Sequence, residues 1–185
     1  MTHHDTLRTI AVVGPESTGK TELCQTLAAA FGCGWIAEYA RTYVERLDRP
    51  YTYADVEQIA RVQMLELRQR QNEQSHGGLL LVDTDLIITK VWFAHVYKQV
   101  PTWIDAAIAD EKIDFYLLCK PDIAWKYDPV RENEHLRDFL YDWYKREIEQ
   151  IGTPYAEIGG VGNARTQNAI AAIGKQFDIT PQHHE

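Results

Sequence analysis

Gly14-Pro15-Glu16-Ser17-Thr18-Gly19-Lys20-Thr21 follows the spacing G-x-x-x-x-G-K-[ST], and its neighbours give it the context that spacing requires. Before it, Thr9-Ile10-Ala11-Val12-Val13 is a β-branched run suited to a buried parallel strand; after it, Leu23, Leu27 and Phe31 recur at helical spacing. Strand, glycine loop and helix in that order read as a nucleotide phosphate-binding loop rather than a chance match in an ordinary strand-to-helix turn. Gly14 and Gly19 allow the dihedrals that point consecutive N–H groups inward, and the following helix offers its positive end to the same phosphates. Ser17 and Thr18 lie on that loop, Lys20 is the residue to reach the β- and γ-phosphates, and the Thr21 hydroxyl is the one to ligate Mg²⁺. Glu16 is the uncomfortable member, because a carboxylate beside polyphosphate is repelled unless it points away.

The chain of 185 residues suits one domain with a sizeable core, taken as 9–178 between flexible ends at 1–8 and 179–185. Its 27 acidic and 19 basic residues give a net charge of −8, which argues against a surface that tracks nucleic-acid phosphates and favours small or cationic partners. Cys24, Cys33 and Cys119 form no C-x-x-C pair, so they read as small apolar core residues in a reducing cytoplasm. No apolar run reaches the roughly 18 residues of a membrane span, and Met1-Thr2-His3-His4-Asp5 is not a signal peptide, so a soluble protein is expected. The paired histidines at 3–4 and 183–184 read as solvated ends rather than metal ligands.

Further along, Trp35-Ile36-Ala37 is a second strand candidate, followed at once by Glu38-Tyr39-Ala40-Arg41. Ligands of parallel α/β sheets bind outside the carboxyl ends of the strands, which would put Glu38 and Arg41 in the crevice of the phosphate loop; a plain helix start explains them as well. Thr52-x-x-Asp55 resembles a capping box for a helix to about Gln74. Leu79-Leu80-Leu81-Val82 is a continuous apolar run that fits a strand covered on both faces, and Asp83-Thr84-Asp85 follows directly. Asp83 is placed to hold Mg²⁺ directly or through water, while Asp85 is either functional or the N-cap of a helix from Leu86 to Tyr97. Pro101-Thr102-x-x-Asp105 opens another helix, Asp114 to Cys119 is a fourth strand, and Leu136, Phe139, Leu140, Trp143 and Ile148 mark a long amphipathic helix before a short strand at Tyr155 to Ile158. Between them, Lys120 to Asn133 mixes prolines, aromatics and charge without periodicity, as functional loops do. We read a lid at about 120–137, with Lys126, Arg131 and Arg137 as cations to set against a transferring phosphoryl group, or else as scattered surface charges.

Taken together, these stretches are similar to the ribosylnicotinamide kinase domain of the NadR family, a group of P-loop small-molecule kinases. The resemblance rests on Gly14-x-Glu16-Ser17-x-Gly19-Lys20-Thr21, Glu38-Tyr39-x-Arg41, Val82-Asp83-Thr84-Asp85 with Thr89, and Pro154-Tyr155-x-Glu157-Ile158, in that order, and covers about Ile10 to Ile173. It implies a three-layer α/β sandwich around a five-stranded parallel sheet of nucleotide-kinase type, strand order 2-3-1-4-5. The family also carries glutamate in its phosphate loop. The adenylyltransferase and DNA-binding regions of full-length NadR proteins are not expected here, because the loop begins at residue 14. The lid departs from the family's W-x-x-D-G-x-R, since Trp125-Lys126-Tyr127-Asp128-Pro129-Val130-Arg131 has proline in place of glycine.

What the resemblance implies is ATP- and Mg²⁺-dependent phosphorylation of the 5′-hydroxyl of nicotinamide riboside, a small nucleoside acceptor. Gly14, Glu16, Ser17, Thr18, Gly19, Lys20, Thr21, Arg131 and Arg137 would hold the donor, and Thr21 and Asp83 the metal. Lys20, Asp83, Glu38 and Arg131 would carry the chemistry, with Glu38, Tyr39, Arg41 and Asp85 at the acceptor. The cationic pyridinium ring suits carboxylates and aromatic faces such as Tyr39, Tyr43, Trp92 and Trp103, any of which fits the core equally well. Two alternatives stand beside this reading: a kinase of another nucleoside or polynucleotide end, and a GTP-dependent switch. Cys119-Lys120-Pro121-Asp122 resembles the guanine-reading N-K-x-D but lacks its asparagine, and no D-x-x-G follows Asp83 or Asp85.

Overall fold

Ile10, Ala11, Val12 and Val13 have no exposed surface at all, the condition of a strand with helices on both faces. The computed structural model describes residues 6–74, 77–125 and 134–182. In chain order these form Leu7–Val13 (β1), Lys20–Phe31 (α1), Gly34–Ile36 (β2), Tyr39–Val44 (α2), Tyr53–Glu73 (α3), Gly78–Asp83 (β3), Leu86–Trp92 (α4), Ile104–Asp110 (α5), Phe115–Cys119 (β4), Arg137–Ile151 (α6), Tyr155–Ile158 (β5) and Asn163–Phe177 (α7). A π-helical turn, Phe93–Tyr97, continues α4, and a 3-10 turn, Glu134–Leu136, precedes α6. All strand pairs are parallel, and the five strands lie in the order β2-β3-β1-β4-β5, the nucleotide-kinase order.

Alternate residues of β1 feed opposite layers. Ile10 and Val12 join Leu23, Leu27 and Phe31 of α1 and Ala169 and Ile173 of α7; Ala11 and Val13 join Leu86, Ile87 and Val91 of α4 and Leu140, Tyr144 and Ile148 of α6. Each such side chain contributes about 1.5–3 kcal/mol by leaving water. Cys24 and Cys119 are core residues as expected, and all three cysteines are free thiols.

The capping box at α3 is present in full: Thr52 accepts from the Asp55 N–H, and Asp55 accepts from the Thr52 N–H at 2.7 Å. Other local expectations shift. α5 begins at Ile104 with no side-chain cap, so Thr102 does not open it, and Asp105 pairs with Lys90 instead. On α6 the buried stripe is Arg137, Leu140, Tyr141, Tyr144 and Ile148, a cleaner three-and-four spacing than the one drawn through Phe139 and Trp143. Phe139 is 47% exposed and meets Trp143 edge-on and His95 at a tilt. Toward the C-terminus, Ile179 packs on the α1–α7 layer and the Gln182 N–H donates to the Ala30 carbonyl at 2.9 Å, a docking that the sequence did not announce.

Candidate active site

β1 delivers the chain to a loop whose backbone is held in conformations few residues adopt. Gly14 has φ +148°, and a Cβ there would lie 2.7 Å from the Cys119 carbonyl oxygen, so a side chain is excluded by both dihedral and space. Gly19, at φ +75°, is the N-cap of α1. Ser17 sits at φ +54° without being glycine, the sort of local strain that folds keep at binding sites. Within the loop, Thr18 Oγ1 and Lys20 Nζ both donate to the Pro15 carbonyl, at 2.9 and 3.1 Å.

The β1–β3 register sets Val12 beside Asp83, which brings the end of β3 under the phosphate loop. Thr84, at φ +73°, turns the chain there while its N–H donates to the Val12 carbonyl at 3.0 Å. Asp83 is fully buried and accepts from Thr21 Oγ1 at 2.5 Å; its Oδ1 has no partner among the described residues. Burial pushes the Asp83 carboxyl up, and Lys20, the Thr21 hydroxyl and Arg41 pull against it. A buried carboxylate oxygen left open beside a threonine hydroxyl fits Mg²⁺, which takes one or two protein oxygens and completes its octahedron with phosphate and water. No group of three or more metal-binding side chains exists among the described residues, so this is no all-protein cage.

A cavity of about 870 Å³ is lined by the loop residues Glu16 to Glu22, by Glu38 and Arg41, and by the aromatic residues Tyr51, Trp92 and Tyr97. Of the residues singled out from sequence, Glu16, Ser17, Thr18, Gly19, Lys20, Thr21, Glu38 and Arg41 all face it. Tyr39 does not line it; its N–H donates to Gln63 Oε1 at 2.9 Å and its ring packs on Tyr43, centroids 5.9 Å apart. Asp85 does not line it either. Fully inside, it accepts from the Ile87 N–H at 3.1 Å and from the Tyr116 hydroxyl at 2.7 Å, so its observed contacts are those of an N-cap, and burial pushes its carboxyl up to about 6. Arg137 lies under the loop, donating through Nη2 to the carbonyls of Ser17 at 3.3 Å and Ile123 at 3.0 Å. Arg131 and Lys126 fall outside the described residues.

Sequence reading missed Arg49, Tyr51, Val96, Tyr97 and Ile123 as cavity residues. Arg49-Pro50-Tyr51 shows only as a break between helices, and Tyr97 reaches the wall through a π-helical turn, which leaves no periodic signal. Trp92 alone of the four aromatics named from sequence lines the cavity.

Comparison with known proteins agrees with this fold. The chain is 26% identical over 131 residues to the trifunctional NAD biosynthesis/regulator protein NadR of Salmonella typhimurium, covering 68% of this chain and 31% of that protein. It therefore spans about a third of the length of the curated relative it matches. Among solved structures, a NadR protein in complex with NR superposes with a TM-score of 0.81 at 23% identity over 96% of this chain and 52% of that one; NadR with NAD and AMP-PNP gives 0.74 at 22%, over 96% and 51%. Deoxyadenosine kinase from M. mycoides gives 0.61 at 14%, over 92% of this chain and all of that one. Residues 9–165, from the first strand through the phosphate loop to the start of α7, match the model of an AAA domain, and the chain belongs to that family of P-loop proteins.

Proposed function

We propose that this chain is an ATP-dependent kinase that transfers the γ-phosphoryl group to the ribose 5′-hydroxyl of nicotinamide riboside, giving nicotinamide mononucleotide. The observation that carries the reading is one cavity lined by the phosphate loop, by Glu38 and by the aromatic residues Tyr51, Trp92 and Tyr97. A donor held at the loop and a cationic aromatic acceptor held between Tyr51, Trp92 and Tyr97 would meet near Lys20 and Glu38. NadR proteins solved in complex with NR, and with NAD and AMP-PNP, support the same pairing of ligands.

In this reading the loop amides and Lys20 bind the β- and γ-phosphates, and Gly14 and Gly19 give the backbone its inward turn. Thr21 and Asp83 are the residues to hold Mg²⁺, which would neutralise charge on the transferring group. Glu38, at the mouth of α2, orients the acceptor hydroxyl and takes up its proton, and Arg41 beside it balances the charge. Arg131 is assigned from sequence to the transferring group. Arg137 acts one step removed, by fixing the Ser17 carbonyl, and Tyr39 and Asp85 act by setting α2 and α4. The catalytic unit is residues 9–178, and three free thiols suit work in the cytoplasm.

The test is a mass-spectrometric screen of nucleoside acceptors with ATP and Mg²⁺, including nicotinamide riboside, purine and pyrimidine nucleosides and their deoxy forms. A mass gain of one phosphate on nicotinamide riboside with the highest kcat/KM supports the proposal. Preferential phosphorylation of a purine or pyrimidine nucleoside would move the chain to another nucleoside kinase, and nucleotide binding without transfer to any acceptor would remove the kinase reading.

A further inference from the structure

Asp55 caps α3, yet most of its bonds serve another purpose. Its carboxylate is 5% exposed as a residue and accepts five hydrogen bonds: Oδ2 from Arg49 Nη1, Thr52 N–H and Thr52 Oγ1, each at 2.7 Å, and Oδ1 from Arg49 Nη2 at 3.0 Å and the Tyr43 hydroxyl at 2.9 Å. The guanidinium and hydroxyl bonds hold this carboxyl well below the usual carboxylate range, so it stays ionised at any working pH. Arg49 is thereby gripped through both terminal nitrogens, a fork-to-fork geometry that fixes the plane of the guanidinium. Its remaining bond is Nη1 to the Pro50 carbonyl at 3.0 Å. One Nη2 hydrogen and the Nε hydrogen are left without a protein partner among the described residues, on a side chain that lines the cavity next to Tyr51.

Two physical consequences follow. The Asp55 charge compensates the Arg49 charge, so a cationic ring can sit on Tyr51 and Trp92, whose centroids are 6.4 Å apart, without strong repulsion from the guanidinium. The uncommitted N–H groups are oriented donors that ask for an acceptor oxygen in the plane of the fork. We infer that Arg49, positioned by Asp55, is the group that reads a carbonyl-bearing substituent on the acceptor's aromatic ring, and that the site therefore takes the ring carboxylate as well as the ring carboxamide. This rests on the kinase reading above and deepens it: the substrate class becomes pyridine ribosides with a carboxamide or carboxylate on the ring. The bond from the guanidinium is charge-assisted for either acceptor, which is why both substituents can be read.

The experiment uses three ribosides with ATP: pyridine bearing a carboxamide, pyridine bearing a carboxylate, and unsubstituted pyridine. With the unmodified protein, the two substituted rings should have kcat/KM at least about tenfold above the bare ring, the scale of one hydrogen bond to a charged group. Arg49→Ala should bring the three values together by raising KM for the substituted rings, while KM for ATP stays put. The variant keeps the Thr52–Asp55 capping box, so it should fold, and its melting temperature checks that. Arg49→Lys, which cannot fork onto Asp55, should recover only part of the discrimination. Equal losses on all three ribosides in Arg49→Ala, or a raised KM for ATP instead, would overturn the inference and leave the kinase reading standing. No transfer to any of the three by the unmodified protein, with transfer to another nucleoside, would remove both.

Discussion

Thr21 Oγ1 donates to Asp83 Oδ2 across 2.5 Å, tying the first turn of α1 to the carboxyl end of β3. The pair exists because the β1–β3 register stops β3 beside Val12, two residues short of the glycine that opens the loop. Asp83 carries a desolvation cost there, relieved by the hydroxyl and by the Lys20 and Arg41 charges. The open Oδ1 leaves one oxygen for an ion that the phosphates bring with them. The phosphate loop and the buried carboxylate of Asp83 are thus brought together by backbone pairing.

Lys20→Ala should leave a folded protein that transfers no phosphoryl group. Lys20 Nζ donates its one observed hydrogen bond among the described residues to the Pro15 carbonyl and faces the cavity, so little packing is lost. Circular dichroism and thermal melting should match the parent, and turnover of nicotinamide riboside should be at background. Normal turnover by the folded variant would sink the kinase reading.

Arg137→Ala should cost both stability and donor affinity. The guanidinium is buried, and its loss leaves the Ser17 and Ile123 carbonyls without that donor, a penalty of about 1–3 kcal/mol. Since Ser17 belongs to the phosphate loop, KM for ATP should rise more than KM for the acceptor. A melting temperature that falls while both KM values hold would restrict Arg137 to the fold.

How much of this was legible beforehand follows from what kind of signal each residue leaves. The phosphate loop and Asp83 could be read because glycine spacing and an apolar run ending in a carboxylate are backbone-level patterns, and the fold enforces them directly. The parallel order of the sheet came only through resemblance, since long-range pairing leaves no local mark. Phe139 was read into the buried stripe of α6 because it is aromatic, but the stripe runs through Leu140, Tyr141, Tyr144 and Ile148, and the Tyr141 hydroxyl bond to Glu157 at 2.5 Å satisfies the polar tip of the ring that turns inward. Arg49 was invisible for a different reason: its partner Asp55 already had a complete explanation as a cap.

Stability should fall as pH rises from about 6 to 8, because of Glu111. Burial, then Asp85, push this carboxyl from 4.5 up to about 8, Arg68 opposes and Asp110 adds; its Oε2 has no partner among the described residues. A carboxyl with a raised folded pKa binds its proton more tightly in the native state, so between those two values the folded chain holds more protons and loses stability with rising pH. Glu157, held at about 2, and Asp55, lower still, are ionised in both states over this range and contribute no slope. The melting temperature should drop by a few degrees from pH 6 to pH 8. Glu111→Gln should flatten the slope and melt higher than the parent at pH 8; an unchanged slope would assign the effect elsewhere.

Asp83 and Asp85 stand two residues apart, and their substitutions should fail in opposite ways. Asp83→Asn keeps the shape and the bond from Thr21 while removing the charge proposed to fix Mg²⁺. A buried charge is lost, so the melting temperature should hold or rise, and ATP without metal should still raise it through the loop amides and Lys20. Turnover should fall by roughly a hundredfold or more, the scale of one transition-state electrostatic partner, with part of it recovered by extra Mg²⁺. Asp85→Ala instead removes the cap of α4 and the acceptor of the Tyr116 hydroxyl, which together cost about 1–3 kcal/mol. It should melt lower yet turn over near the parent rate at temperatures where it is folded. Measuring melting and turnover on both variants separates the roles. Should Asp83→Asn turn over normally across a magnesium titration while folded Asp85→Ala does not, the metal assignment at Asp83 fails and Asp85 becomes the functional carboxylate of the pair.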